Sequence, residues 1–126
     1  MPHRTIATPS APQPVGPYSQ AVTAGKFVFI SGQILLDPDS GVCNVGAIGD
    51  QTRQTLRNLK AVLSAANLSP HALVKTTVYL RSMADFAAFN AVYEEELAGA
   101  KPARSVVEVN ALPRGALVEI EAIACR

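Results

Sequence analysis

Two helix-forming segments, separated and flanked by strand-forming ones, constrain this chain more than any other feature. Ile48–Ala66 carries leucine and alanine at helical spacing, and Ser82–Gly99 does the same with aromatic residues on its inner side. The strand-forming segments are Tyr18–Ala24, Phe27–Gln33, Leu73–Leu80, Arg104–Val109 and Leu117–Cys125. The order ββαβαββ predicts an α+β fold with one mixed sheet, and two helices can cover only one face of that sheet.

Alternation along the strands predicts what the uncovered face carries, because successive side chains point to opposite sides of a sheet. The positions expected to face the helices are Val74, Thr76, Val78 and Leu80 in one strand and Val118, Ile120, Ala122 and Ala124 in the last. Glu119, Glu121 and Ile123 then point the other way, together with Tyr79. That face is too apolar for water and too polar for a core, so we expect an oligomer interface with polar pockets.

Length and composition describe a single compact domain. The chain has 126 residues, of which 48% are hydrophobic and 17% are charged, and this balance leaves apolar surface to be covered. Prolines at positions 2, 9, 12, 14 and 17 exclude a helix over residues 1–17. We expect that segment to form an extended arm or a turn-rich lead-in.

Charge and cysteine content argue against several classes of function. The net charge is +1 without a basic run, which disfavours an electrostatically driven nucleic-acid binder.

No apolar run approaches the roughly 20 residues that span a bilayer, and no signal-peptide core is seen, so we expect a cytoplasmic protein. Cys43 and Cys125 are too few for a disulfide framework; reduced thiols are the simpler interpretation, with one disulfide left open. His3 and His71 show no metal-ligand spacing.

An arginine and a glutamate are the strongest candidates for chemistry. Arg104 follows a Pro-Ala turn at the start of an apolar run, and Glu119 lies in a strand otherwise suited to a core. A fixed guanidinium can bind a carboxylate through two parallel hydrogen bonds, and a carboxylate can take a proton from water. The pair suggests chemistry on a small organic acid. The alternatives are that Arg104 pairs with Glu108, Glu119 or Glu121, and that Glu119 is a solvated or salt-bridged strand residue.

Four further residues are candidates for the wall of a binding pocket. Tyr18 follows a stiff Gly-Pro turn and could offer its hydroxyl, although an interface aromatic is the alternative. Ser31 could donate a hydrogen bond or simply pack at a strand end, and Gly32 permits close backbone approach. Asn90 lies on the inner side of the second helix, where a structural hydrogen bond is favoured over a contact with substrate.

Five motifs, in order along nearly the whole chain, resemble the signature of the RidA family, also called the YjgF or UK114 family. They are Gly16-Pro17-Tyr18-Ser19-Gln20, Ile30-Ser31-Gly32-Gln33, Val74-Lys75-Thr76-Thr77-Val78, Pro102-Ala103-Arg104-Ser105 and Val118-Glu119-Ile120-Glu121-Ala122. The resemblance implies a chorismate-mutase-like α+β fold. It also implies a homotrimer with a ligand site in each cleft between subunits.

The resemblance further implies an enamine/imine deaminase that converts 2-aminoacrylate and related 2-imino acids to 2-keto acids and ammonia. In that reading Arg104 holds the carboxylate, while Tyr18, Ser31 and the backbone of Val106 orient the rest. Glu119 activates the attacking water. No metal or organic cofactor is required, because the C=N carbon is already electrophilic.

One position departs from the family pattern. Many members carry a cysteine two residues after the motif arginine, and this chain has Val106 there. A thiol mechanism at that position is therefore excluded. Two other classes of function stay open: a non-enzymatic module that binds a small ligand, and a ribonuclease or translation inhibitor, an activity attributed to some members of the family.

Overall fold

The computed structural model describes residues 3–43 and 46–126. These residues form two α-helices, α1 (Ile48–Ala65) and α2 (Phe86–Leu97). The strands among them are β1 (Arg4–Ile6), β2 (Ala21–Ala24), β3 (Phe27–Gln33), β4 (Leu73–Leu80), β5 (Ala103–Glu108) and β6 (Val118–Cys125). Short 3₁₀ turns cover Pro70–Ala72, Met83–Asp85 and Pro113–Gly115. The α+β class and the single mixed sheet are as predicted.

The sheet has the order β1-β2-β3-β6-β4-β5. All neighbouring strands are antiparallel except β4 and β5, which are parallel. Parallel neighbours need a crossover connection, and α2 supplies it. The last strand, β6, therefore lies in the interior of the sheet, between β3 and β4.

Both helices pack on one face of the sheet and form the core with it. The alternate residues Val118, Ile120, Ala122 and Ala124 of β6 are buried, as the alternation predicts. Leucines and valines of α1 and the Phe89 ring of α2 pack against them. The other face is uncovered in the single chain, and Phe27, Phe29 and Val107 are exposed there to 46%, 45% and 44%.

Part of the segment predicted as an arm is a strand. Arg4–Ile6 pairs with β2, with Thr5 level with Val22. The buried side chain of Gln20 holds the proline-rich stretch that follows: its Nε2 donates to the carbonyl oxygens of Thr8, Ala11 and Pro12, and its Oε1 accepts from the Thr8 N–H. These contacts are long-range, so the local sequence pattern does not reveal them.

Three element details differ from the sequence prediction. The prediction that Val74 lies in the core is wrong: it is 42% exposed, and Leu73 is buried in its place. A register shift between Leu73 and Lys75 opposite β6 breaks the strict alternation there. Strand β2 begins at Ala21 rather than at Tyr18. The second helix begins at Phe86 rather than Ser82, because a 3₁₀ turn precedes it, and it ends at Leu97.

Within residues 3–43 and 46–126, no helix combines the length and the apolar character that a membrane crossing requires.

Candidate active site

Arg104 is held on the helix side of the sheet by residues of α2. Its Nη1 donates a hydrogen bond of 2.7 Å to Oδ1 of Asn90. The guanidinium carbon also lies 4.9 Å from the ring centroid of Tyr93 and 5.6 Å from that of Phe86. Such contacts between a guanidinium and aromatic faces are attractive. Arg104 is thus oriented before any ligand arrives.

The aromatic support of Arg104 is itself fixed. The Tyr93 hydroxyl shares a buried hydrogen bond of 2.7 Å with Oγ1 of Thr76 on β4. Burial raises the pKa of Tyr93 above its ordinary value of 10.0, so the hydroxyl stays protonated. A cleft of about 390 Å³ opens beside this group, and we call it the Arg104 cleft. Its polar lining comes from Asn90, Tyr93, Glu94, Lys101 and Arg104.

Glu119 lies in a second cleft, on the uncovered face of the sheet. Its carboxylate packs directly on Gly32 of β3, so closely that a Cβ added to Gly32 would overlap it. The pairing of β3 with β6 shifts register between Ile30 and Gln33, which locates the irregularity at Ser31 and Gly32. This Glu119 cleft has a volume of about 460 Å³, and its lining includes Tyr18, Ser31, Gly32, Arg114, Glu119 and Glu121.

Burial and charge both act on the Glu119 carboxyl. Its pKa is raised above the ordinary value of 4.5, first by burial and then by the negative charge of Glu121. A raised pKa makes a carboxylate a stronger base. Ser31 does not point its hydroxyl hydrogen into the cleft, because Oγ donates to the Ser19 carbonyl oxygen at 2.6 Å. The Ser31 oxygen can still accept a hydrogen bond from a ligand.

The Arg104 cleft and the Glu119 cleft lie on opposite faces of the same sheet. Arg104 is level with Thr76 of β4, which is level with Ala122 of β6. Thr76 and Ala122 are buried beneath the helices, so Arg104 is on that side. Glu119 is an odd number of residues from Ala122 and points the other way. The two residues therefore cannot contact one ligand within a single chain.

The remaining sequence candidates divide between the clefts. Tyr18, Ser31 and Gly32 line the cleft of Glu119, and Asn90 lines that of Arg104. Val106 lies two residues after Arg104 on β5, level with Val78. Among the described residues no ion pair joins Arg104 to a glutamate, and no cluster of three or more histidine, cysteine or acidic residues suits a metal. Cys43 and Cys125 are free.

Sequence reasoning missed four residues at these clefts. Phe86 and Tyr93 support Arg104, Arg114 lines the Glu119 cleft, and the Tyr79 hydroxyl donates to Glu121 at 2.7 Å. Two patterns were visible in the sequence: the aromatic spacing on α2, and the alternation that places Tyr79 on the same face as Glu119 and Glu121. The partnership of Tyr79 depends on the β4–β6 register, which the sequence does not give.

Comparison with known proteins identifies the family. The family model described as Endoribonuclease L-PSP matches residues 8–126. The chain belongs to this family, the RidA (YjgF) family. A RutC family protein of Pyrococcus horikoshii is 56% identical to this RidA family chain, over 94% of each sequence.

Two further relatives carry more specific descriptions. A 2-iminobutanoate/2-iminopropanoate deaminase of Salmonella typhimurium is 47% identical over 98% of each chain. The crystal structure of E. coli TdcF with bound serine superposes with a TM-score of 0.92 at 42% identity, covering 98% of both chains. The RidA fold of this chain is thus shared by solved structures of the family.

Proposed function

We propose that this RidA family protein is a deaminase of small 2-imino acids. The observation that carries the proposal is the similarity, at 47% identity over 98% of both chains, to a relative named 2-iminobutanoate/2-iminopropanoate deaminase. The clefts supply groups suited to that reaction: a preoriented guanidinium for the substrate carboxylate and a carboxylate of raised pKa for a water.

The proposed reaction is the addition of water to a C=N bond. Glu119 takes a proton from the water as the water oxygen bonds to the imine carbon. The imine nitrogen receives that proton, which gives a carbinolamine. The carbinolamine hydroxyl then gives up its proton to the nitrogen as the C=O bond forms and the C–N bond breaks, so ammonia and a 2-keto acid are released. Enamines such as 2-aminoacrylate enter through their imine tautomer. Positioning and one proton transfer supply the acceleration, because imines already hydrolyse in water.

Each candidate residue has a proposed role in this reaction. Arg104 binds the substrate carboxylate, with Asn90 holding its Nη1. The backbone of Val106 holds the substrate nitrogen, since a valine side chain offers no polar atom. Tyr18, Ser31 and Gly32 wall the cleft from which Glu119 acts.

We further propose that the site is completed between subunits of a homotrimer. Arg104 and Glu119 face opposite sides of the sheet in one chain, so the Arg104 cleft of one subunit must meet the Glu119 cleft of the next. The exposed Phe27, Phe29 and Val107 give the uncovered face an apolar area to bury on association. Head-to-tail contacts between two different patches of one chain form a ring when the rotation between subunits closes, and a rotation of one third of a turn gives a trimer.

Direct imine hydrolysis tests the proposal. An amino-acid oxidase generates the imine while semicarbazide traps what is not hydrolysed, and the semicarbazone is read by absorbance. We expect the wild type to lower semicarbazone formation, and Arg104→Ala and Glu119→Gln each to lower kcat/KM by at least about 100-fold. Arg57→Gln, an exposed arginine of α1, serves as the matched control and keeps full activity. Unchanged turnover in Arg104→Ala would refute the assignment.

A ribonuclease is the second candidate, favoured by the description of the family model as Endoribonuclease L-PSP. The near-neutral charge gives it little electrostatic attraction for RNA. Cleavage of a labelled RNA by the wild type, lost in Glu119→Gln, would support it. Cleavage that persists in that variant would point to another site or to a contaminant.

A non-enzymatic binding module is a further alternative. Thermal stabilisation of the protein by serine or a keto acid, without any turnover, would indicate it.

A further inference from the structure

Two carboxylates share the Glu119 cleft in unlike surroundings. Glu119 is half-buried against Gly32, whereas Glu121 is exposed. They stand two residues apart on β6 and therefore on the same face of the sheet. Paired carboxylates in unlike environments commonly take different roles, one exchanging a proton while the other stays charged.

Tyr79 fixes Glu121 in place. In the β4–β6 register Tyr79 is level with Glu119, while Glu121 is level with Thr77. The Tyr79 side chain nevertheless reaches diagonally to Glu121, and its hydroxyl donates to Oε1 at 2.7 Å. The pKa of Tyr79 is raised above its ordinary value of 10.0. The hydrogen bond to Glu121 is the largest cause, and burial and the negative charges of Glu121 and Glu119 add to it. The phenol thus keeps its proton and remains a donor.

We propose that Tyr79 and Glu121 are positioning residues for Glu119: the Tyr79 hydroxyl holds the Glu121 carboxylate in the cleft, on the same face of β6 as Glu119, and Glu121 acts through its charge on the carboxylate that activates the water. The catalytic meaning rests on the proposed deaminase function. The electrostatic coupling between the two carboxylates does not, since it exists without turnover.

The charged and titratable groups that line the cleft with Glu119, or lie opposite it, come from several elements. They are Tyr18 from the N-terminal segment, Tyr79 from β4, Glu121 from β6 and Arg114 from the turn before β6. Within the described part of the chain Arg114 makes no ion pair with Glu119 or Glu121. Glu121 is the neighbour whose charge raises the pKa of Glu119, in addition to burial.

The direction of the pH effect follows from these contacts. Glu119 acts as a base only when deprotonated, so kcat/KM falls as the pH drops through its pKa. Removing the charge of Glu121 lowers the pKa of Glu119 and moves this fall to lower pH. The same change makes Glu119 a weaker base, so activity at neutral pH also falls.

Carbon-13 NMR titration of the Glu119 carboxyl tests the coupling, alongside the pH profile of kcat/KM. We expect Glu121→Gln to move both midpoints to lower pH. Tyr79→Phe deletes only the hydroxyl and should shift them in the same direction by less, because the freed Glu121 can turn toward water. Glu95→Gln, on the helix side and paired with Arg53, removes one negative charge elsewhere and should shift neither midpoint.

Four outcomes decide between these possibilities. An unmoved Glu119 midpoint in Glu121→Gln overturns the proposal, and so does an equal shift in Glu95→Gln. A shift confined to Glu121→Gln with none in Tyr79→Phe overturns the role of Tyr79. If the wild type hydrolyses no imine but Glu121→Gln still moves the Glu119 midpoint, the deaminase proposal fails while the coupling stands.

Discussion

A missing side chain decides where the Glu119 carboxylate lies. Gly32 does not need to be glycine for its backbone conformation, because its φ is not among the positive values of the described residues. It is glycine because the carboxylate occupies the space that a Cβ would take. The close contact half-buries the acid, and burial is the main cause of its raised pKa. The absence of a side chain at Gly32 thus determines both where the Glu119 carboxylate lies and why its pKa is raised.

Gly32→Ala is therefore expected to impair activity more than stability. The added methyl group must displace the flexible end of Glu119, and a displacement of about 1 Å costs on the order of 10- to 100-fold in kcat/KM. The free energy of unfolding should change by less than about 1 kcal/mol, because no buried backbone has to move. Imine turnover and urea denaturation measure the two effects.

Gly49→Ala is the matched control for this substitution. Its added Cβ would lie at an ordinary contact distance of 3.5 Å from Val92, within α1 and on the helix side of the sheet. We expect full activity and unchanged or slightly higher stability, since alanine favours a helix over glycine. Equal losses in both variants would argue that Gly32 acts only through general packing.

At the scale of elements, one side chain links the proline-rich segment to the sheet. Prolines cannot donate backbone hydrogen bonds, so residues 7–17 lack the means to form a regular strand. The buried side-chain amide of Gln20 donates hydrogen bonds to three carbonyl oxygens of this segment instead, with N···O distances of 2.8–3.2 Å. This clamp anchors the chain between β1 and β2 and places Tyr18 at the rim of the Glu119 cleft.

Gln20→Met should loosen that clamp. The substitution keeps the volume, but the Pro12 carbonyl loses its donor and the Thr8 N–H loses its acceptor, while the Thr8 and Ala11 carbonyls lose one of two donors. We expect a cost of about 2–3 kcal/mol in the free energy of unfolding. Urea denaturation checks the value, and Gln13→Met is the control. Gln13 is exposed and donates to the Thr8 carbonyl oxygen in an exposed hydrogen bond, so a change below about 1 kcal/mol is expected. Equal changes would contradict the clamp.

At the scale of the whole molecule, the sheet separates the two halves of the proposed site. The Arg104 cleft is on the helix side and the Glu119 cleft is on the uncovered side, so one chain presents two half-sites. In the proposed trimer, a second copy supplies the missing half to each. The proposal therefore predicts that activity depends on assembly and not only on the fold of one subunit.

Mixed oligomers test the shared site. Arg104→Ala subunits retain Glu119, and Glu119→Gln subunits retain Arg104, so some interfaces in a mixture regain both. Random mixing in equal amounts should restore about a quarter of the wild-type activity, while each variant alone stays inactive. Light scattering on the refolded mixture checks the trimer. No recovery in assembled mixed trimers would contradict a site shared between subunits.

The local sequence determined most of the elements and the identity of the candidate residues. Alternation in β6 predicted which side chains are buried. Helical spacing in α2 predicted an inner side of Phe86, Phe89, Asn90, Tyr93 and Leu97, of which Phe89, Tyr93 and Leu97 are buried and the other two are half-buried. Both patterns depend on a geometry that repeats within one element, so the sequence alone is enough to predict them. Alternation failed at Val74, where a register shift set by the partner strand breaks the repeat.

Only the tertiary structure decided how these residues are grouped. Nothing local shows that Arg4–Ile6 pairs with β2, that Tyr79 reaches Glu121 or that Gly32 receives the Glu119 carboxylate. The separation of Arg104 from Glu119 by the sheet also follows from strand order and register. Such relations join residues distant in sequence, and their energies depend on the packed arrangement. The sequence therefore determined the chemical groups, and the fold determined which of them can act on one ligand.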